Sequence, residues 1–393
     1  MAFRYCTLPD TFNNSIAATK VEYRQLGKSG LRVSNPTFGG LSVGDPKWAG
    51  WIMKRSEAFM LLKGAYDRGI NTWDTANVYS NGASEEIMGA VLGEFKIPRR
   101  KVVIMTKVYR VMPDIELPQD HADARKNVAY FEKEADSSKD HVNQWGEHEI
   151  GSLPVFFRPH AHSTDATGLS RSAIFDSVDD SLQRLGTTYI DVLQIHRFDP
   201  HVPPEETMRA LHDLVQSGKV RYLGASSMWA HELSILQHTA ERLGLTQFSC
   251  VQIRYNLLYR EEEREMIKYC NRTGVGIMIW EALAAGMVAR PLSQHGSSPR
   301  SQALINIGED KDKPTEADKE IIHRVHELAQ RHNWPMTSVA LAWLNARVTA
   351  PVIGFNSLHA MDEVLAARGR SLTAEEERYL EEPYVSKAVF GHV

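Results

Sequence analysis

The stretch IDVLQIHRFDPHVPPEETMRALHDLVQSGKVRYLGASS, residues 190–227, sets the architecture of the chain. It opens on an apolar run, Ile190 to Ile195, of the length a buried strand needs. A helical pattern follows over 204–217, and Gly218 sits where a helix would be capped. A second extended run occupies 222–225. The same rhythm continues on both sides. Extended runs recur at 37–40, 72–74, 102–106, 250–253, 276–280 and 350–354. Helical patterns lie over 56–68, 84–95, 170–185, 231–243, 261–272 and 316–331. Ser56 reads as the cap of one helix, Thr315 with Asp318 has capping-box spacing, and Gly69 reads as a C-terminal cap. Eight alternations predict an α/β fold with a closed parallel sheet, a (β/α)8 TIM barrel. Before them, extended pieces at 22–26 and 31–33 flank the turn Gly27-Lys28-Ser29-Gly30, which predicts a β-hairpin capping the barrel floor.

Bulk properties fit this reading. The chain has 393 residues, a length that barrels reach as one domain, so residues 1–393 are read as a single barrel. Residues 1–20 form an irregular arm. Residues 110–168, polar and rich in histidine, form a long insertion after the third strand, and 294–315 form a second long loop. The formal net charge of −4 gives no reason to expect nucleic acid or an anionic membrane as partner. Cys6, Cys250 and Cys270 are far apart, with neither zinc nor redox spacing, as in a reducing compartment. The first 20 residues lack a signal-peptide core, and no apolar run spans a bilayer, so the expected location is cytoplasmic.

Four polar residues then fall in telling places. Asp74 ends the second barrel strand in INTWDTANVYS, Tyr79 follows it, Lys107 ends the third in VVIMTKVY, and His196 ends the fourth in DVLQIHRFDP. In a barrel these positions share the C-terminal mouth, where barrel active sites lie. A carbonyl that accepts hydride develops negative charge on oxygen and needs a proton donor and preorganised positive charge. A phenol with an ordinary pKa of about 10 becomes a usable acid beside an ammonium. Tyr79 beside Lys107 suits that task, with Asp74 holding Lys107 and His196 orienting the substrate oxygen. Singly, each has a plainer reading: loop packing for the tyrosine, a turn cap for the aspartate, an edge charge for the lysine, a satisfied core group for the histidine. Their meeting at one mouth favours chemistry.

These segments resemble a known family. DTANVYSNGASEEIMG is similar to the signature of aldo-keto reductases, and TKVY and QIHRFDP to their lysine and histidine segments. LVQSGKVRYLGASSM and YNLLYREEERE add further matches. The resemblance runs from about Val21 to Pro383 apart from the insertion, and is closest to the branch with potassium-channel β-subunits and fungal secondary-metabolism reductases. It implies NADPH bound across the mouth without a Rossmann domain; GGLSVG at 39–44 lacks the G-x-G-x-x-G spacing. It further implies that Gly40, Ser226, Ser227, Gln252, Trp280, Gly354, Ser357 and Glu363 contact the cofactor. Ser226, Ser227 and Gln252 would hold the carboxamide, and Trp280 would stack on the nicotinamide. Gly354 and Ser357 would lie near the phosphates, and Glu363 near the adenine.

Departures cluster in the same region. Ile253 replaces an asparagine, Glu281 a serine that meets the pyrophosphate, and Ala285 an arginine. Ala360 stands where a basic or amide residue contacts the ribose phosphate, and Val364 replaces an asparagine beside adenine. A carboxylate facing a pyrophosphate costs on the order of several kcal/mol when poorly solvated, with Arg290 and Arg300 as compensating candidates. Three readings follow: an NADPH-dependent carbonyl reductase; a cofactor-independent acid–base enzyme (isomerase, dehydratase or cyclase) on the same barrel; or a non-catalytic subunit.

Trp48, Trp51, Tyr109, Phe198 and Trp229 fall on mouth loops and suggest an apolar pocket for a flat or polycyclic substrate, such as a polyketide or terpenoid intermediate. The insertion carries Tyr130, Phe131, Trp145, Phe156 and Phe157, and reads as a lid, a self-association surface or a surface excursion. Its histidines, His121, His141, His148, His160 and His162, match no common metal spacing, and no metal is expected.

Overall fold

The computed structural model describes residues 20–110, 168–296 and 313–392. The insertion with its aromatic and histidine residues, Arg300, Cys6 and most of the arm lie outside these. β1 (Glu22–Gln25) and β2 (Arg32–Asn35) pair antiparallel as the expected hairpin. Eight parallel strands close in sequence order: β3 (Thr37–Gly39), β4 (Thr72–Asp74), β5 (Val103–Val108), β6 (Ile190–Ile195), β7 (Val220–Ser226), β8 (Phe248–Arg254), β9 (Gly276–Trp280) and β10 (Ala350–Ile353), with β10 returning to β3.

The helices follow local signals. α1 (Arg55–Asp67) and α2 (Ala83–Glu94) precede α3 (Arg171–Leu185), where the Ser170 hydroxyl accepts from the Ala173 N–H and Gly186 closes the helix at φ 58. α4 (Pro204–Gln216) begins with proline in its first turn, followed by Glu205 and Glu206, which suit a helix N-terminus. α5 (Ala230–Leu243) and α6 (Met266–Thr273) follow, then α7 (Glu316–His332), whose Thr315–Asp318 capping box forms as expected. α8 (Met336–Asn345), α9 (Leu358–Leu365) and α10 (Ala374–Glu381) complete the ring.

Two expectations need correction, and one helix was not among them. The cap of α1 is Lys54, whose backbone N–H meets Glu57; Ser56 lies inside the helix. The pattern over 261–272 splits into a 3-10 turn, Glu261–Glu263, and α6; in the turn Glu261 accepts from Arg264 and Tyr384, and Glu263 from Tyr255. α8 escapes a search for amphipathic stripes because nine of its residues, Met336 to Leu344, are all buried.

The barrel interior is layered. On the floor, Leu26 and Val33 of the hairpin pack with Met105, Val192, Cys250, Met278, Ala350 and Val352. Burial pushes the Cys250 thiol up to about 12, so it stays protonated and apolar in behaviour. Side chains two residues on along a strand face the same way, about 7 Å nearer the mouth. That step brings in Lys107, Gln194 and Gln252. On β7 the matching position is Gly224, where a Cβ would lie 2.9 Å from both Cys250 Sγ and Gln194 Cγ. No helix among the described residues is long and apolar enough to cross a membrane.

Candidate active site

Strand register creates the polar layer. Lys107 pairs with Gln194 across β5 and β6, and Asp74 with Met105 across β4 and β5. The Lys107 ammonium donates to Asp74 Oδ2 at 2.6 Å, to the Thr75 carbonyl at 2.9 Å and to the Tyr79 hydroxyl oxygen at 3.3 Å. All three of its protons are thereby used. Asp74 Oδ1 accepts from Gln194 Nε2 at 3.0 Å and from Gln252 Nε2 at 2.8 Å. The Lys107 and Asp74 side chains are 1% and 3% exposed. Burial opposes the ammonium's charge, but the Asp74 carboxylate and Tyr79 outweigh it and hold the Lys107 pKa above its ordinary value.

Tyr79 is half-buried, so its ring spans from the buried ammonium to the mouth. The loop that carries it is fixed at both sides. Thr75 donates its backbone N–H to Met105, and its hydroxyl meets Ser84, which in turn donates to the Gly40 carbonyl. Ser80 and Asn81 then turn the chain with φ of 49° and 50°. His196, just past β6, is buried and stands edge-on to Tyr79 with ring centroids 6.1 Å apart. Burial first, and then Arg197, Lys107 and Arg110, push its pKa well below the ordinary value, so the imidazole is neutral near pH 7. Its Nδ1 is buried without a hydrogen-bond partner among the described residues. The four residues expected at one mouth are therefore brought together.

The residues expected at the nicotinamide also gather. The Ser226 hydroxyl donates to the Gln252 carbonyl at 2.9 Å, and Trp280 Nε1 donates to the Ser227 hydroxyl at 3.0 Å. Ser227 has φ 40, which turns the chain sharply at the end of β7. Gln252 also belongs to the polar layer, since its amide nitrogen is engaged by Asp74. The phosphate-side group is looser. Gly354 is exposed at the end of β10, Ser357 caps α9 by accepting from the Ala360 N–H at 3.1 Å, and Glu363 is half-buried on α9. Gly40 is buried where a Cβ would strike Met88 and the Asp74 carbonyl at 2.5 and 2.7 Å, so close packing requires glycine there.

Two of the departures read differently in three dimensions. Glu281 forms an ion pair with Arg254, both side chains being largely buried, so its carboxylate is neutralised. Val364 is 5% exposed and belongs to the apolar core. Among the aromatics expected to line a pocket, Trp48 is buried, Trp51 is half-buried, and Tyr109 and Phe198 pack partly against the core. Trp229 is 37% exposed and stands edge-on to His392.

Gln194 and Arg254 were not among the expected site residues. Both carried a signal: each is a polar residue two positions along an apolar strand from another site residue, hence on its face. Arg254 pairs in register with Trp280 and also lies over the rings of Tyr259 and Phe390. No group of three or more metal-binding side chains occurs among the described residues.

Comparison with known proteins agrees with this geometry. The aldo/keto reductase family model matches residues 37–384. The chain belongs to the aldo/keto reductase family. It is 53% identical to the aldo-keto reductase AMT2 of Alternaria alternata over 98% of this chain and 97% of that one. It is 51% identical to the aldo-keto reductase dtxS3 of Metarhizium robertsii over 98% and 97%. It is 42% identical to the versiconal hemiacetal acetate reductase of Aspergillus parasiticus over 94% and 98%. As an aldo/keto reductase the protein is an oxidoreductase, in a family that generally uses a nicotinamide cofactor.

Proposed function

We propose that this aldo/keto reductase uses NADPH to reduce an aldehyde or ketone to an alcohol, with Tyr79 as proton donor. The observation that carries the reading is the buried Lys107 ammonium, held by Asp74 on one side and facing the Tyr79 oxygen at 3.3 Å on the other. The nicotinamide end fits Ser226, Ser227, Gln252 and Trp280, which already form one hydrogen-bonded group. The phosphates would lie toward Gly354 and Ser357, and the adenine toward Glu363. The bound cofactor would supply the hydride. As charge grows on the carbonyl oxygen, Tyr79 gives up its proton to it, and the ammonium faces the phenolate that remains. His196, neutral, orients the carbonyl oxygen by a hydrogen bond.

The Arg254–Glu281 pair removes the chief objection to a dinucleotide, which was a bare carboxylate facing the pyrophosphate. The reading of a redox-neutral enzyme loses its motive to that extent. A polycyclic secondary metabolite is the substrate class that the mouth aromatics and the versiconal hemiacetal acetate reductase relative favour.

The test is titration with NADPH and NADH, followed by heat or fluorescence, together with a carbonyl screen of the protein and of Tyr79→Phe. Micromolar NADPH binding by both, with turnover lost by about 10²–10⁴ in the variant, is expected. NADH bound in preference overturns the cofactor assignment. Unchanged turnover in Tyr79→Phe overturns the proton donor.

A further inference from the structure

The segment that follows α10 runs across half of the barrel mouth. Lys387 starts it with two anchors: its backbone N–H donates to Glu261 Oε1 at 2.7 Å, and its ammonium meets Asp318 at 2.7 and 2.9 Å. The Phe390 N–H donates to the Tyr259 hydroxyl at 2.9 Å. The Phe390 ring lies 4.3 Å from the Arg254 guanidinium carbon and 6.1 Å from the Trp280 ring. A Cβ built on Gly391 would sit 3.6 Å from Arg197 Nη2, 3.7 Å from Trp280 Cζ2 and 4.0 Å from Ser227 Cβ. His392 ends the crossing, with Nε2 2.9 Å from Glu262 Oε1 and its ring 4.7 Å from that of Trp229. Lys387, Phe390, Gly391 and His392 thus reach the ends of β6, β7, β8 and β9 or the loops that leave them.

The way the segment is held is as informative as its place. It has no helical or strand structure of its own. The Lys387–Asp318 ion pair fixes one end, the contact of His392 with Glu262 and Trp229 fixes the other, and the arginine–aromatic stack of Arg254, Trp280 and Phe390 fixes the middle. A segment with few backbone hydrogen bonds opens at low free-energy cost compared with the barrel. What it covers is specific: Trp280 and Ser227 are both assigned above to the nicotinamide. The segment is in contact with both groups, so a dinucleotide laid against them requires the segment to move aside.

We infer that residues 387–392 form a latch over the nicotinamide half of the mouth, docked on Arg254, and that its opening gates both admission and release of the cofactor. This rests on the cofactor placement proposed above. Arg254 acts here as a positioning residue, through Trp280 and Phe390.

Stopped-flow binding of NADPH tests the latch, because Trp229 and Trp280 touch the segment and report on it. The intact protein is compared with a chain lacking residues 387–393 and with the full-length double variant Phe390→Ala/His392→Ala, which keeps the test informative where truncation does not fold. Association and dissociation rates that both rise, on the order of tenfold, with a much smaller change in Kd, are expected. Where release limits turnover, kcat rises with them. Rates indistinguishable from the intact protein overturn the latch and leave the reductase reading standing. Faster dissociation at an unchanged association rate also overturns it, because the segment is then only a wall of the pocket. Failure of all three proteins to bind NADPH overturns the latch and the cofactor reading together.

Discussion

Two levels of the barrel interior, one pleat apart on the same strands, are made of opposite materials. At the floor, Met105, Val192, Cys250 and Met278 pack against the hairpin's Leu26 and Val33. Above them Lys107, Gln194 and Gln252 converge on Asp74. The floor is stabilised by burial alone, at roughly 25 cal/mol per Å² of apolar surface removed from water. The upper level holds a full ion pair out of water, and such a pair is often no better for stability than apolar packing of the same volume. The difference teaches that stability alone does not account for the upper level, while the floor and its plug hold the closed sheet that positions it.

The strongest way to break the comparison is to convert the upper level into a second floor. Lys107→Met alone leaves the Asp74 carboxylate buried and unpaired. It should cost about 3–5 kcal/mol in chemical denaturation and lower kcat/KM by about 10³–10⁴. The double variant Lys107→Met/Asp74→Leu should regain most of that stability and none of the turnover. A double variant no more stable than the single one would show that the two levels are not opposed in this way.

A floor substitution sharpens the contrast from the other side. Met278→Ala should cost about 2–5 kcal/mol while kcat at a temperature where the protein is folded stays within about twofold. A drop in kcat as large as that from Lys107→Met would mean that the floor is coupled to the chemistry.

The smallest expected effect concerns pH. The folded-state pKa of His196 lies well below its ordinary 6.5. As pH falls through 6.5 the unfolded chain therefore takes up a proton that the folded chain refuses, and stability drops. Equivalently, stability rises with pH from the depressed value up to about 6.5. Lys107, with its pKa raised, contributes stability below 10.5 that is lost only as pH rises past its raised value, outside this window. The slope of unfolding free energy between about pH 5 and 7 should be shallower in His196→Gln than in the unchanged protein. Equal slopes would mean that the imidazole titrates freely.

The sequence carried the barrel because strands and helices alternate with clear periods, and it carried Asp74, Lys107 and His196 because each ends a strand. Gln194 was hidden by its position inside an apolar run, although it shares a face with His196. Arg254 ends β8 as a lone charge after an apolar run, which reads equally well as a solvated strand end. Pairings between distant segments were not legible. Nothing in residues 250–285 alone shows that Glu281 folds onto Arg254, or that a segment more than a hundred residues later crosses above them. α8 stayed hidden because burial on all sides leaves no period to detect.

Gly224 gives the layering a different meaning. It is the one interior place on β7 where the floor and the polar level adjoin, and what it contributes is empty room. A methyl group there would press on Cys250 and Gln194 at once, so packing below and hydrogen bonding above would have to shift together. The orientation of Gln194 toward Asp74 is therefore set by the width of one missing carbon atom. That makes this position a gauge: side chains of increasing size at residue 224 would measure, step by step, how much displacement the Lys107–Asp74–Tyr79 group tolerates before turnover fails.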